Sequence, residues 1–134
     1  MTDIEKIVIT AINLAKKLKH EYVTLEHLLF AMLCEESFEK LIQNFEADAD
    51  LMRVNLENHL KTKLDDIKTD EKKYKPKKTN SVERVLNRAF AQVLFQGRTT
   101  IEIVDVFISI LSEKRSYAFF VTQQAEISKE NFIK

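Results

Sequence analysis

One glycine, one proline and one cysteine stand among 134 residues. Glycine and proline punctuate turns and strands. Their scarcity, with abundant Leu, Ile, Lys and Glu, argues against a sheet protein and predicts helices joined by short polar caps. The single Cys34 cannot form an intramolecular disulfide, so a reducing, cytoplasmic setting is expected. Charge of neither sign dominates, because 21 Lys and Arg balance 21 Asp and Glu. This argues against a general polyanion-binding role, although local patches can hide in a balanced total. No apolar run approaches the roughly 20 residues that cross a bilayer. No basic N-terminal region leads into an apolar block either, so neither a membrane span nor a signal peptide is expected. Missing too are a Gly-rich phosphate loop, G-x-S-x-G, H-E-x-x-H and a cysteine pair, which leaves a free-standing hydrolase without support. The length suits one domain with a proper core and is too short for two of ordinary size.

What the chain does have is a polar turn that becomes an apolar helix, His20 to Leu33. Thr24 can cap this helix, Glu26 complements the dipole of its first turn, and the apolar run beyond has almost no polar face, so the helix must be buried. Seventy-eight positions later, Ile101 to Leu111 matches it in length, apolar pattern and Leu-x-Glu ending (Leu33, Glu35; Leu111, Glu113). This reads as a repeat. The second copy is rich in β-formers, but its partner contains Leu, Ala and Met, and copies of one motif should share one structure, here a helix.

The expected fold is all-α: eight helices as two pseudo-symmetric four-helix repeats, residues 1–61 and 81–134, joined by a long polar connector over 62–80, all in one domain. Ile4, Ile7, Val8, Ala11, Ile12, Ala15 and Leu18 form one face of the first helix. Ser37 can cap a third helix through Phe38 and Phe45, and Asp48 a fourth through Leu51, Val54, Leu56 and Leu60. The connector holds seven lysines and four acids with only Leu64, Ile67 and Tyr74 as sizeable apolar residues, together with Pro76. It reads as a solvated linker, and an electrostatic site for nucleic acid has little behind it beyond Tyr74. Asn80 with Glu83 suggests a capping box for the fifth helix, whose stripe is Val82, Val85, Leu86, Ala89, Phe90, Val93 and Leu94, and Gly97 ends it. Thr99 with Glu102 suggests another for the sixth, and Ser116 and Ser128 can cap the last two.

Few residues invite chemistry. His20, Glu21, Glu26 and His27 form the one cluster resembling a metal or acid–base site, but no third ligand is apparent and a structural role for His27 is expected. His59 reads as a surface residue. Cys34 reads as an inert core thiol rather than a nucleophile, since apolar surroundings raise a thiol pKa.

The string His20-Glu21-Tyr22-Val23-Thr24-Leu25-Glu26-His27-Leu28-Leu29, the doubled helix pattern and Ser81 to Ala89 together resemble the Clp N-terminal domain of the Hsp100 AAA+ unfoldases, over about Asp3 to Ile133. Within that family the chain looks most like the ClpA branch. Its connector before Arg84 is long, and Glu102-Ile103-Val104-Asp105 replaces the second Thr-x-Glu-His that ClpC-type domains carry to bind phosphoarginine.

The resemblance implies a non-catalytic module, free of cofactors, that docks a ClpS-type adaptor and helps engage protein substrates for an unfoldase feeding the ClpP peptidase. ATP and magnesium would belong to ATPase modules outside these residues, and a monomeric domain in a hexameric parent is implied, with no nucleic acid or membrane partner. Carried over by position, the adaptor-facing residues are His20, Glu21, Thr79, Arg84, Arg88 and Lys129. The spacing agrees for two of them, because Arg84 and Arg88 stand four apart on one helix face and can reach an acidic surface together. A solvated face beside Glu83 is the other reading of the pair. Replacing both with alanine is expected to weaken adaptor binding while leaving melting nearly unchanged. The alternative function is direct substrate binding by a ClpB/ClpC-type chaperone domain, through an apolar groove between the repeats.

Overall fold

The computed structural model describes residues 2–133. In chain order it contains α1 (Asp3–Lys17), strand β1 (Tyr22–Val23), α2 (Leu25–Leu33), α3 (Glu36–Asn44) and α4 (Ala49–Thr62). A 3-10 turn (Asp65–Ile67) and strand β2 (Lys77–Lys78) lead into α5 (Asn80–Phe95), α6 (Ile103–Ile110), α7 (Tyr117–Gln124) and α8 (Lys129–Ile133). The fold is all-α in its broad sense. The segment rich in β-formers, Ile103–Ile110, is helical.

Burial centres on α2. Every residue of this helix but Phe30 is buried, and it meets α1, α3, α4, α5, α6 and α7. Its counterpart α6 buries Ile103, Val106, Phe107 and Ile110. A chain of rings ties α3 to α6 and α8: Phe38 of α3 lies 5.1 Å from Phe107, which lies 5.0 Å from Phe132 of α8, itself 5.4 Å from Phe45 just after α3. Such edge-on and tilted pairs add to the area term that each buried ring already contributes.

Helix ends explain how so few glycines suffice. After α5, Gly97 sits at φ 77, its N–H donates to Leu94, and the N–H of Arg98 donates to Val93. That is a Schellman closure. The same pair of bonds closes α1 at Lys19, α3 at Glu46 and α7 at Glu126, all at positive φ without glycine. The stops at Lys19 and Gly97 stand seventy-eight residues apart. The starts of α2 and α6 share a motif as well. Thr24 caps α2 with His27 as its reciprocal partner, and at α6 the Asp105 side chain accepts the Glu102 N–H at 2.8 Å in the same reciprocal role. Different side chains thus perform one task, satisfying the orphan N–H groups of a first turn.

Several expectations change. Thr79 rather than Asn80 caps α5, Glu102 rather than Thr99 caps α6, and α3 starts after Glu35 with no side-chain cap, so Ser37 does not serve. Asp48 and Ser116 cap as expected. The buried face of α4 is Ala49, Met52, Leu56 and Leu60, leaving Leu51 and Val54 exposed. On α5, Phe90 and Leu94 also face outward. Cys34 is exposed at the end of α2, because the helix stops there and turns the residue out of the core. Partial desolvation still raises its thiol above the usual range, against the pull of Arg53. His59 is half-buried, stacked on Tyr117 at 4.0 Å.

The connector is not a free linker. Thr69 donates its N–H to Lys19, Lys77 to Glu21 and Thr79 to Val23, while Glu21 donates to Ile67. β1 and β2 pair in parallel, Tyr22 opposite Lys77 and Val23 opposite Lys78, and Pro76 is buried. Unpaired main-chain groups of the His20–Val23 turn recruit the connector as a partner, which side-chain composition does not reveal.

Candidate partner-docking site

The pairing of β1 with β2 brings Glu21, which accepts the Lys77 N–H, near Thr79, which donates its N–H to Val23. Thr79 Oγ1 accepts the N–H of Val82 at 3.2 Å and so starts the helix that carries Arg84 and Arg88. One turn apart, both guanidinium groups converge on Glu113, just beyond α6. Arg84 donates from Nε at 3.1 Å and from Nη2 at 2.5 Å, and Arg88 Nη2 donates to the same carboxylate. Arg84 also reaches Ser81 at 3.2 Å, and Arg88 Nη1 reaches the Ser109 carbonyl at 3.5 Å. Ser109 donates its hydroxyl to the Val85 carbonyl at 2.9 Å, which pins α6 to α5 beneath the cluster.

The Glu113 side chain is only 10% exposed, whereas Arg84 is 55% and Arg88 28% exposed. Hydrogen bonds from Arg84, opposed in part by desolvation, hold the Glu113 carboxyl below the usual carboxylate range. Two cations over one anion leave a local surplus of one positive charge facing solvent. A cleft of about 230 Å³ opens beside it, lined by Arg88, Gln92, Gln96, Asp105, Ser109 and Lys129 among others. Asp105 is itself held by Arg98 at 2.5 and 3.2 Å. Lys129 is exposed and also lines a second cleft of about 420 Å³ with Lys114 and Gln123. Arg88 and Lys129 therefore share one opening.

His20 stands apart from this surface, as a correction to its expected role. It is fully buried, so its ring cannot meet a rigid partner. Thr24 donates its N–H to His27 Nδ1 at 2.9 Å, which leaves the His27 proton on Nε2. That proton bridges to His20 Nδ1 at 2.8 Å, and the remaining His20 Nε2–H is buried without a hydrogen-bond partner among the described residues. Burial, then the charges of His20 and His59, push the His27 pKa down to about 3. Burial and Lys68 lower that of His20, against Asp65. The pair is a neutral structural device that joins the turn to α2. Among the described residues no group of three His, Cys, Asp or Glu could hold a metal ion.

Glu26 is likewise internal, accepting the Ala118 N–H of α7 at 2.8 Å. Glu113 escaped sequence reasoning, although its place in the repeated Leu-x-Glu ending was a usable signal. A further cleft of about 560 Å³ lies between the halves, where Phe38 and Leu41 of α3 face Ile101, Ile103 and Val104, with Thr2 and Asp3 at its rim.

A ClpA homolog protein of Fuscovulum blasticum is 26% identical over 126 residues, which is 94% of this chain and 16% of that protein. The chain thus spans about a sixth of the relative's length. The fold is similar to the Hsp104 N-terminal domain from Candida albicans, with a TM-score of 0.81 and 16% identity, covering 98% of this chain and 85% of that one. It is also similar to a ClpV N-domain solved in complex with a VipB peptide, with a TM-score of 0.64 and 16% identity, covering 93% and 76%. Residues 2–125 match the family model of the Clp repeat (R) N-terminal domain, and the chain belongs to that family.

Proposed function

We propose that this domain docks protein partners for a ClpA-type ATP-dependent unfoldase, receiving a ClpS-type adaptor on Glu21, Thr79, Arg84, Arg88 and Lys129 and delivering substrates for the ClpP peptidase. The observation that carries this reading is the Arg84–Glu113–Arg88 cluster beside the cleft that Arg88 shares with Lys129. A buried carboxylate fixes both arginines in place, so their outward N–H groups are pre-organised and little side-chain entropy is lost when an acidic surface arrives. Thr79 starts the helix that carries both arginines and is tied to Glu21 through the β1–β2 pairing. The module works by binding alone; ATP and magnesium belong to ATPase rings elsewhere in a hexameric, cytoplasmic parent.

The two halves, residues 1–61 and 81–134, are copies of one four-helix unit joined by residues 62–80. Support comes from the closures at Lys19 and Gly97 and from the matching side-chain bonds to the N-cap N–H groups of α2 and α6.

Titrating the domain with a ClpS-type adaptor, while following heat and the chemical shifts of Arg84 and Arg88, tests the reading. Saturable one-to-one binding at that face supports it, and no binding at high concentration removes it. The second reading, direct capture of substrate as in a ClpB/ClpC-type domain, draws on the cleft between the halves and on the ClpV N-domain's complex with a peptide. Shifts at Phe38 and Ile101 on adding an apolar peptide would favour it.

A further inference from the structure

Arg88, Gln92 and Gln96 follow one another at four-residue steps and form the α5 wall of the cleft of about 230 Å³, with Ser109 and Ser112 on the other side. Each carries a planar group with outward N–H donors. Charge changes along this wall. Arg88 stands at the end where it meets Glu113 and the Ser109 carbonyl. Lys129 lines both this cleft and the next, together with Ser112, three residues beyond Ser109. At the far end Asp105 is already engaged by Arg98 and by the Glu102 N–H, at 3.2 and 2.8 Å. Gln96 accepts from Arg98 through Oε1 at 3.1 and 2.9 Å, which orients its amide and leaves Nε2 to donate elsewhere. Among the described residues the exposed Gln92 side chain makes no hydrogen bond, and exposed Lys129 makes no ion pair.

We propose that this cleft takes an extended segment of an acidic polypeptide, its main chain along Gln92 and Gln96 and a side-chain carboxylate between Arg88 and Lys129; this rests on the docking reading for Arg88 and Lys129 and adds what is bound beside them. Spacing selects an extended ligand. Four residues of helix rise about 6 Å, and alternate residues of an extended chain recur every ~6.6 Å, so successive side chains of the wall meet successive outward carbonyls of a strand. A helical ligand satisfies its own main chain and leaves the glutamines nothing to bond, whereas the main-chain groups of an extended one need partners. Charge selects its sequence. Arg84 and Arg88 share a single carboxylate and Lys129 has none, so this end of the cleft is short of an anion, and a guanidinium group matches a carboxylate in shape as well as in charge. Ala89 and Ile108 supply an apolar floor for small side chains. The bound chain does not have to end here, because Ser112 and Lys129 also border the second cleft, where Lys114 and Glu130 bring one charge of each sign.

Chemical-shift titration with a short peptide of Ala and Thr around one central Glu, blocked at both ends, tests this. The expected result is saturable movement of the Gln92 and Gln96 side-chain amides. Binding should weaken about tenfold in Lys129→Glu and about fivefold in Gln92→Ala, with helical circular dichroism unchanged because both residues are exposed. The same peptide with Lys in place of Glu should not bind. Glutamine amides that stay still at the highest peptide concentration overturn the proposal. So does equal binding of the Lys peptide, or binding that appears only when the peptide's C-terminus is left free. A ClpS-type adaptor titrated into the same samples keeps the two readings apart. Adaptor binding beside an unresponsive glutamine wall overturns the peptide cleft alone, whereas peptide binding without adaptor binding removes the adaptor and leaves the acidic segment in place.

Discussion

Glu26 and Ala118 are joined inside the protein by a carboxylate that accepts a backbone N–H at 2.8 Å, across ninety-two residues of chain. The donor lies in the first turn of α7, where N–H groups have no intrahelical acceptor and the helix dipole favours an anion. Glu26→Gln keeps an acceptor in place and should cost about 1 kcal/mol, whereas Glu26→Ala leaves a buried donor unpaired and should cost about 2 kcal/mol. Urea unfolding midpoints measure both. Equal losses would mean that the side chain contributes volume rather than a bond.

Glu113 alters what the arginine substitutions should do. Sequence alone suggests that Arg84→Ala with Arg88→Ala leaves melting almost unchanged. With the Glu113 side chain nearly buried under both guanidinium groups, the double variant strands a carboxylate, and its melting temperature should fall by several degrees. Adding Glu113→Gln should restore most of that loss without restoring adaptor binding. A triple variant no more stable than the double would break the argument. Calorimetric melting and adaptor titration on the same samples separate the two effects.

Stability should fall in mild acid because of His27. Its pKa is about 3 in the folded state against an ordinary value of 6.5, so the unfolded chain binds a proton that the folded one refuses. The effect is nil above pH 7, grows as pH drops below 6.5, and saturates near 3. At pH 5 it amounts to about 2 kcal/mol. His20 is shifted in the same direction. Glu113, whose pKa is lowered, adds its own loss only as pH falls below the ordinary carboxylate range. A denaturation midpoint that is flat between pH 7 and pH 5 would exclude a neutral buried His27.

Helix stops offer a stabilising test. Lys19 and Glu46 hold positive φ angles of 63 and 67, a conformation that costs a side-chain-bearing residue and suits glycine. Lys19→Gly and Glu46→Gly should each raise stability by about 0.5–1 kcal/mol. Gly97→Ala should lower it by about 1 kcal/mol, although nothing lies within 4 Å of the added methyl. Thermal melts of the three variants decide, and a stabilised Gly97→Ala would contradict the conformational reason.

Helix periodicity, the Schellman glycine and the Asp48 and Ser116 caps were legible because each depends on residues within one or two turns. So was the buried α2, since an apolar run with no polar face has nowhere else to go. Local spacing also set Arg84 beside Arg88. What it could not supply was Glu113, their shared anion, which lies twenty-five residues from Arg88 and meets it only because α6 packs on α5. Phe90 and Leu94 face outward for a related reason: periodicity shows that a helix has an apolar face, while only its neighbours decide how wide the covered face is.

The sequence by itself determined the helical class and the burial of α2, because these follow from short-range propensity and composition. Tertiary structure alone decided that His20 is internal, that the lysine-rich connector is stitched to the turn before α2, and that Glu26 anchors α7. Each of those outcomes rests on a main-chain or side-chain group finding a partner far along the chain, and satisfying a buried polar group is a condition on the whole fold.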